Sequence, residues 1–100
     1  MKMIRGFEGL LQVYKNLPAV GGFYVDKFFL NNKSFMTFAN YYIPESEEED
    51  EDMEEIYKTW LEYPVFKAIV DNKTEYSPAS SSSELLEAVL YYIENDDFLD

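Results

Sequence analysis

Between Pro44 and Glu55 the chain runs PESEEEDEDMEE. Nine carboxylates follow the proline within eleven residues: Glu45, Glu47, Glu48, Glu49, Asp50, Glu51, Asp52, Glu54 and Glu55. Carboxylates at this density can ligate a hard cation, work as an acid and base pair, or present a field to a positive surface. Calcium loops need oxygens at set spacings and a glycine for the sharp turn. This run has no glycine and no alternation that would turn its carboxylates inward. Acid–base work needs two groups whose environments split their pKa values, and a solvated run supplies no such split. The chemistry left is electrostatic, and it competes with the plain reading of a solvated loop.

The remaining chemistry is thin. The chain has neither His nor Cys, which removes the commonest general base, thiol nucleophiles, thiolate zinc and disulfides. Ser80–Ser83 resembles a nucleophile cluster only until its neighbours are considered, because alternative helix caps explain the four serines. GxSxG, GxGxxG and GxxxxGK[ST] are absent. The expectation is a protein that is not an enzyme, with no cofactor and no dedicated metal site.

Whole-chain properties narrow the partner. One hundred residues with 47% hydrophobic and 18% aromatic content suit one folded domain with a single core. The net charge of −12 and pI near 4.2 disfavour free nucleic acid and anionic membrane, and favour basic proteins. Charge is divided unevenly. Up to Pro44 there are five cations and two acids, a net +3; beyond it three lysines face eighteen acids, a net −15. No stretch is long and apolar enough to span a bilayer, and Glu8 and Gln12 break any apolar leader. A cytoplasmic protein is expected, with weak support from the missing cysteines.

Several elements must position the acids. Phe7, Leu10, Leu11, Tyr14 and Leu17 form one helical stripe, closed by Leu17-Pro18. Gly21-Gly22 frees a turn. GFYVDKFFL and SFMTFANYYI predict two antiparallel strands joined through Asn31-Asn32-Lys33, with aromatics on both faces. Pro44 ends the hairpin. Met53, Ile56, Tyr57, Trp60 and Leu61 then predict an amphipathic helix up to Tyr63-Pro64. Were the whole run from Glu45 helical, like charges would oppose one another at four-residue spacing, at ~0.2–0.5 kcal/mol per pair. The helix is therefore expected to begin near Glu49–Asp52, leaving a mobile acidic segment near 45–50. VFKAIV suits a short helix opened by Pro64, although its β-branched residues also fit a strand; DNKTEYSPASSSS suits a loop. Ser81-x-x-Glu84 is a capping-box signature for a closing helix that ends near Asn95. The fold class expected is α+β: an antiparallel hairpin or small sheet packed against about three helices.

On this arrangement Tyr57 and Tyr63 stand beside the acids as aromatic anchors, while Trp60 has core spacing. Tyr41-Tyr42 and Tyr91-Tyr92 each place one ring on either side of their element, so one of each pair is expected at the surface. Asp96, Asp97 and Asp100 extend the negative sign to the C-terminus as a second acidic patch.

A small, acidic, Cys-free, Tyr-rich chain resembles the immunity proteins of bacterial toxin–immunity pairs, including partners of contact-dependent growth-inhibition toxins. The ordering is also similar to an uncharacterised bacterial domain group sometimes linked to toxin immunity. Its shared features are an opening helix ending in Leu17-Pro18, an aromatic hairpin, an acidic stretch after Pro44 and a closing helix. The resemblance implies a protein that binds a basic toxin domain, often a nuclease, its acids either occupying the cleft as a substrate mimic or binding beside it and blocking access, with Tyr57 and Tyr63 as buried contacts. A DNA-mimic inhibitor or regulator uses the same electrostatics. A small-ligand binder or enzyme with a site between hairpin and helices is the third alternative.

Overall fold

A computed structural model describes residues 1–30 and 33–96. Strand β1 (Lys2–Arg5) leads into helix α1 (Gly6–Val13), which tightens into a 3-10 turn, Tyr14–Asn16. Strand β2 (Gly22–Val25) is followed by the short helix α2 (Lys27–Leu30), a 3-10 segment (Lys33–Phe38) and strand β3 (Asn40–Ile43). Helix α3 (Glu47–Ile56), strand β4 (Lys58–Glu62), helix α4 (Tyr63–Tyr76) and helix α5 (Ser82–Asn95) complete the chain. The strands form one antiparallel sheet in the order β1-β3-β2-β4, so the fold is α+β.

Strand alternation assigns the layers. Phe23, Val25, Tyr41 and Ile43 point to one face, where Phe7 and Leu10 of α1, Phe66, Ile69 and Val70 of α4, and Leu85, Leu86 and Val89 of α5 meet them. The other face carries Tyr24 and Tyr42, covered by Met53 of α3 and flanked by Tyr57. Tyr41 is 0% exposed and Tyr42 7%. The expectation of one exposed ring in that pair is corrected, because both faces of the sheet are covered. In the second pair Tyr91 is exposed and Tyr92 half-buried.

The strand pair β2–β3 is present, with Tyr24 opposite Tyr42 and Val25 opposite Tyr41, but both strands are half the expected length. Residues 27–30 and 33–38 are helical instead, and Asn31 and Asn32 lie outside the described residues. The turn begins where the Phe29 N–H donates to the Asp26 carbonyl at 3.0 Å. A 3-10 winding places Met36 and Ala39, three residues apart, in the core, and the buried Tyr41 hydroxyl donates to the Met36 carbonyl at 2.8 Å.

The helix expected to run to Tyr63 stops at Ile56, and Lys58–Glu62 pairs with β2 instead. Trp60 reaches the core from this strand, 5.0 Å from Tyr41 and 6.2 Å from Phe23 between ring centroids. Pro64 lies in the first turn of α4, as expected, but α4 extends through Asp71–Tyr76, which was assigned to loop. Helix α5 carries the predicted capping box: Ser81 Oγ accepts the Glu84 N–H, and Glu84 reaches back to the Ser81 N–H at 3.2 Å.

Between β2 and β4 the register shifts, so that Gly22 pairs with Glu62 while Tyr24 pairs with Thr59. A Cβ at Gly22 would lie 2.7 Å from the Leu61 carbonyl oxygen, a backbone atom that cannot rotate away. Gly22→Ala is expected to destabilise the fold by ~1–3 kcal/mol, read as a lowered urea midpoint with an unchanged slope. An unshifted midpoint would show that the β2–β4 approach is looser than described.

Candidate functional site

Helix α3 sorts its acids by angle. Its buried residue is Met53, with Glu49 and Asp50 half-buried on either side. Glu47, Glu48, Glu51, Asp52, Glu54 and Glu55 are all exposed. At 3.6 residues per turn these six fall on one continuous outer surface.

The helix begins at Glu47, so the segment expected as a lead-in is helical from there on. Ser46 is the N-cap and its Oγ accepts the Glu49 N–H at 3.1 Å, while Glu49 Oε1 accepts the Glu45 N–H at 3.1 Å. Four acids in the first turn meet the positive end of the helix dipole. The Met1 ammonium lies 2.9 Å from Glu45 and 2.5 Å from Glu49. That ammonium and the Glu45 N–H hold Glu49 below the usual carboxylate range. In return, Glu49 and then Glu45 raise the amino group.

On the underside, the Tyr24 hydroxyl donates to Asp50 Oδ1 at 2.6 Å. Burial and then the Asp50 carboxylate push the Tyr24 phenol well above its ordinary range. Tyr57 is half-buried and stacks on Tyr42 with ring centroids 4.3 Å apart. The Tyr42 hydroxyl lies at 3.4 Å from the Asp26 carboxylate. Glu45 is exposed before the helix and tied to the chain start.

The other expected site residues are placed differently. Tyr63 is only 3% exposed and packs edge-on against Phe23 at 4.8 Å, so its ring is a core element rather than a surface anchor. Asp96 is the left-handed C-cap of α5 (φ 54°), in the helical layer on the opposite face of the sheet from α3. Asp97 and Asp100 lie outside the described residues.

An aromatic surface was missed. Phe28, Phe35 and Phe38 are 58%, 48% and 75% exposed, and Phe28 stacks on Phe35 at 6.1 Å. Strand assignment hid them, because alternation places half of a strand's residues inside. The segment bearing them leaves the sheet after Val25, which pairs with Lys58, two residues past the end of α3. The patch therefore lies at the end of the sheet where β2 pairs with β4, and its 33–38 segment packs against α1 and α5, in the layer opposite α3. A second signal, Ser46-x-x-Glu49, has the same form as the capping motif of α5 and marks the start of α3.

Chemically, the outer surface of α3 can attract and orient cationic groups. Among the described residues no group of three or more Asp or Glu is arranged to hold a metal ion. No helix among them is long and apolar enough to cross a membrane. Residues 12–100 match the family model described as Domain of unknown function (DUF7716), and the chain belongs to that family. No curated protein and no solved structure matches it.

Inner and outer carboxylates should respond oppositely to neutralisation. Like charges face each other at 47/51, 48/52, 50/54 and 51/55, at ~0.2–0.5 kcal/mol per pair. Replacing the outer six by Gln or Asn is expected to leave thermal stability unchanged or raise it. Asp50→Asn, which weakens the charged bond from Tyr24, is expected to cost ~1–3 kcal/mol. Equal losses in both variants would mean that the outer acids are structural.

The buried phenols set an alkaline limit. Burial raises Tyr24, Tyr41 and Tyr63, the last to about 12, with Asp50 adding to the shift of Tyr24 and Tyr63. A raised folded pKa gives stability that is complete below the unfolded value, about 10, and is lost as pH rises through the folded values. Urea stability should therefore hold up to about pH 10 and fall beyond it, with the absorbance of these tyrosinates appearing together with unfolding. Full phenol titration in the folded protein near the ordinary value would contradict this.

Proposed function

We propose that this protein is an immunity protein: it binds a basic toxin domain, a nuclease for preference, and neutralises it through the outer face of α3, doing no chemistry itself. The supporting observation is that six carboxylates are fixed on one face of a folded helix instead of being dispersed in a solvated loop. A ten-residue helix is about 15 Å long, so the face carries one charge per ~2.5 Å of axis. This lies between a single nucleic-acid strand, one per ~3.4 Å, and a duplex, one per ~1.7 Å. A cleft built to bind phosphates meets a comparable linear charge density here.

Charge brings the partner in and orients it; buried apolar area holds it. Phe28, Phe35 and Phe38 supply that area in place of Tyr63, and Tyr57, directly after α3, is half-buried beside the acids. The cytoplasm is the compartment in which such a protein would guard its own cell. The same charge density suits an inhibitor or regulator of a DNA-binding protein, and the activity of the captured partner separates the two.

The test is capture from the cell of origin, followed by kinetics on the retained protein. A basic partner is expected, with an association rate that drops about tenfold or more between low and several-hundred-millimolar salt. The variant lacking the six outer charges should show a comparable drop at low salt. The partner should lose toxicity when co-expressed with the wild type. Binding indifferent to both salt and those six side chains would refute the proposal.

A further inference from the structure

A cleft of about 280 Å³ opens between the Pro18–Gly22 turn and the first turn of α3, lined by Pro18, Val20, Gly21, Glu47, Asp50 and Tyr63 among others. Its floor is built by close approach. The Tyr63 N–H donates to the Gly21 carbonyl at 2.9 Å, and a Cβ at Gly21, which has φ +110°, would touch the Tyr63 ring at 3.0 Å. Glycine at this position is what lets the turn lie on the ring. Tyr63 is more than nine-tenths buried, yet its hydroxyl makes no hydrogen bond among the described residues. No fully enclosed side-chain oxygen or nitrogen among them lacks a partner, so this hydroxyl is reached by solvent, and Tyr63 is part of the cleft's lining. Of the ring, Cε2 lies nearest to Gly21, with Cζ, the hydroxyl-bearing carbon, also within 4 Å of a Cβ built there, and both Gly21 and Asp50 line the cleft. Tyr24 engages one oxygen of Asp50, Oδ1.

We infer that this cleft receives an arginine side chain from a protein partner, with the guanidinium held by Glu47, Asp50 and the Tyr63 hydroxyl. The volume is at the lower limit for small-molecule sites, about 300–1,000 Å³, and suits a side chain better than a nucleotide or cofactor. Two carboxylate residues and a tyrosine share the lining with Ser46, two prolines, a valine and two glycines. A guanidinium offers five donors in a rigid fork and is weakly hydrated, whereas an ammonium is a strongly hydrated point charge. The N-terminal end of α3 adds roughly half a positive charge, which the two carboxylates outweigh, and Ser46 already takes one of the free N–H groups.

The partner as a source of arginine rests on the proposed function; the site's own affinity does not. The test is titration of the ¹⁵N-labelled protein with N-acetyl-arginine amide and with its neutral isostere, N-acetyl-citrulline amide. Saturable shifts are expected at Gly21, Gly22 and Ser46–Asp50, about fivefold weaker or more for the citrulline compound. Tyr63→Phe keeps the ring packing and Glu47→Gln alters an exposed residue. Each should weaken arginine binding several-fold, while Glu87→Gln on the far layer should not. Shifts spread evenly over Glu48, Glu51, Asp52 and Glu55, indifference to Tyr63→Phe and Glu47→Gln, or stronger shifts with inorganic phosphate would overturn the inference. A failed titration would remove the cleft and leave the acidic face standing. A failed capture of a basic partner would remove the proposed function and leave the cleft's affinity intact.

Discussion

The sheet has aromatic residues on both faces, and everything about the acidic helix follows from the need to cover the second one. Tyr24 and Tyr42 alternate with Phe23, Val25, Tyr41 and Ile43, so a layer on one side alone would leave two large rings in water. The element that covers them is the most highly charged stretch of the chain, and magnitudes explain why it can. The four like-charge pairs on α3 oppose the helix by about 1–2 kcal/mol together. Burying Met53 contributes about 1.5–3 kcal/mol, the Tyr42–Tyr57 stack about 0.5–1.5 kcal/mol, and the charged bond from Tyr24 to Asp50 about 1.5–3 kcal/mol. Attachment exceeds repulsion, although only one residue of the helix is apolar and buried.

This balance divides the carboxylates into two populations. Glu49 and Asp50 flank Met53 and are used by the fold, through the chain start and Tyr24. The other six have no such partner in the geometry described and face outward. A chain that needed only a cover for Tyr24 and Tyr42 could have used lysines on the outer side of α3, relieving the repulsion through i,i+4 pairs. That outer surface is therefore what the proposed function has to account for, and substrate mimicry accounts for its single sign as well as its density.

Much of this was legible in the sequence, and the misses share one cause. The stripe of α1, Pro64 at the start of α4 and the Ser81–Glu84 box each rest on local chemistry, and the structure bears all three out. Strand β4 was hidden because Met53, Ile56, Tyr57, Trp60 and Leu61 have helical spacing. Ile56 is nevertheless 62% exposed, and the chain leaves the helix there to pair with β2. That pairing is a demand of the tertiary structure, invisible in a window of ten residues. The same holds for residues 33–38, where Phe and Thr favour a strand but the burial of Met36 and Ala39 selects a 3-10 turn. The start of α3 is different: Ser46-x-x-Glu49 marks it, and the cap and the dipole favour acids in a first turn over the repulsion between like charges.

The site residues divide along the same line. Charge could be read directly, whereas anchor positions depended on the faces of elements that were misassigned, so Tyr63 moved inward and the three phenylalanines outward. The result gives the acidic face two unlike neighbours. At the N-terminus of α3 the cleft combines Glu47 and Asp50 with a buried tyrosine; apart from the helix, at the end of the sheet where Val25 pairs with Lys58, the connection after Val25 carries Phe28, Phe35 and Phe38. A uniformly charged rod would let a basic cleft slide or reverse along it, since screened charge has little directional preference. A directional polar socket at the start of the helix and a separate set of apolar rings off its axis remove that degeneracy. On the proposed reading, the carboxylates of α3 govern how fast a partner arrives, and the socket and the rings govern which way round it stays.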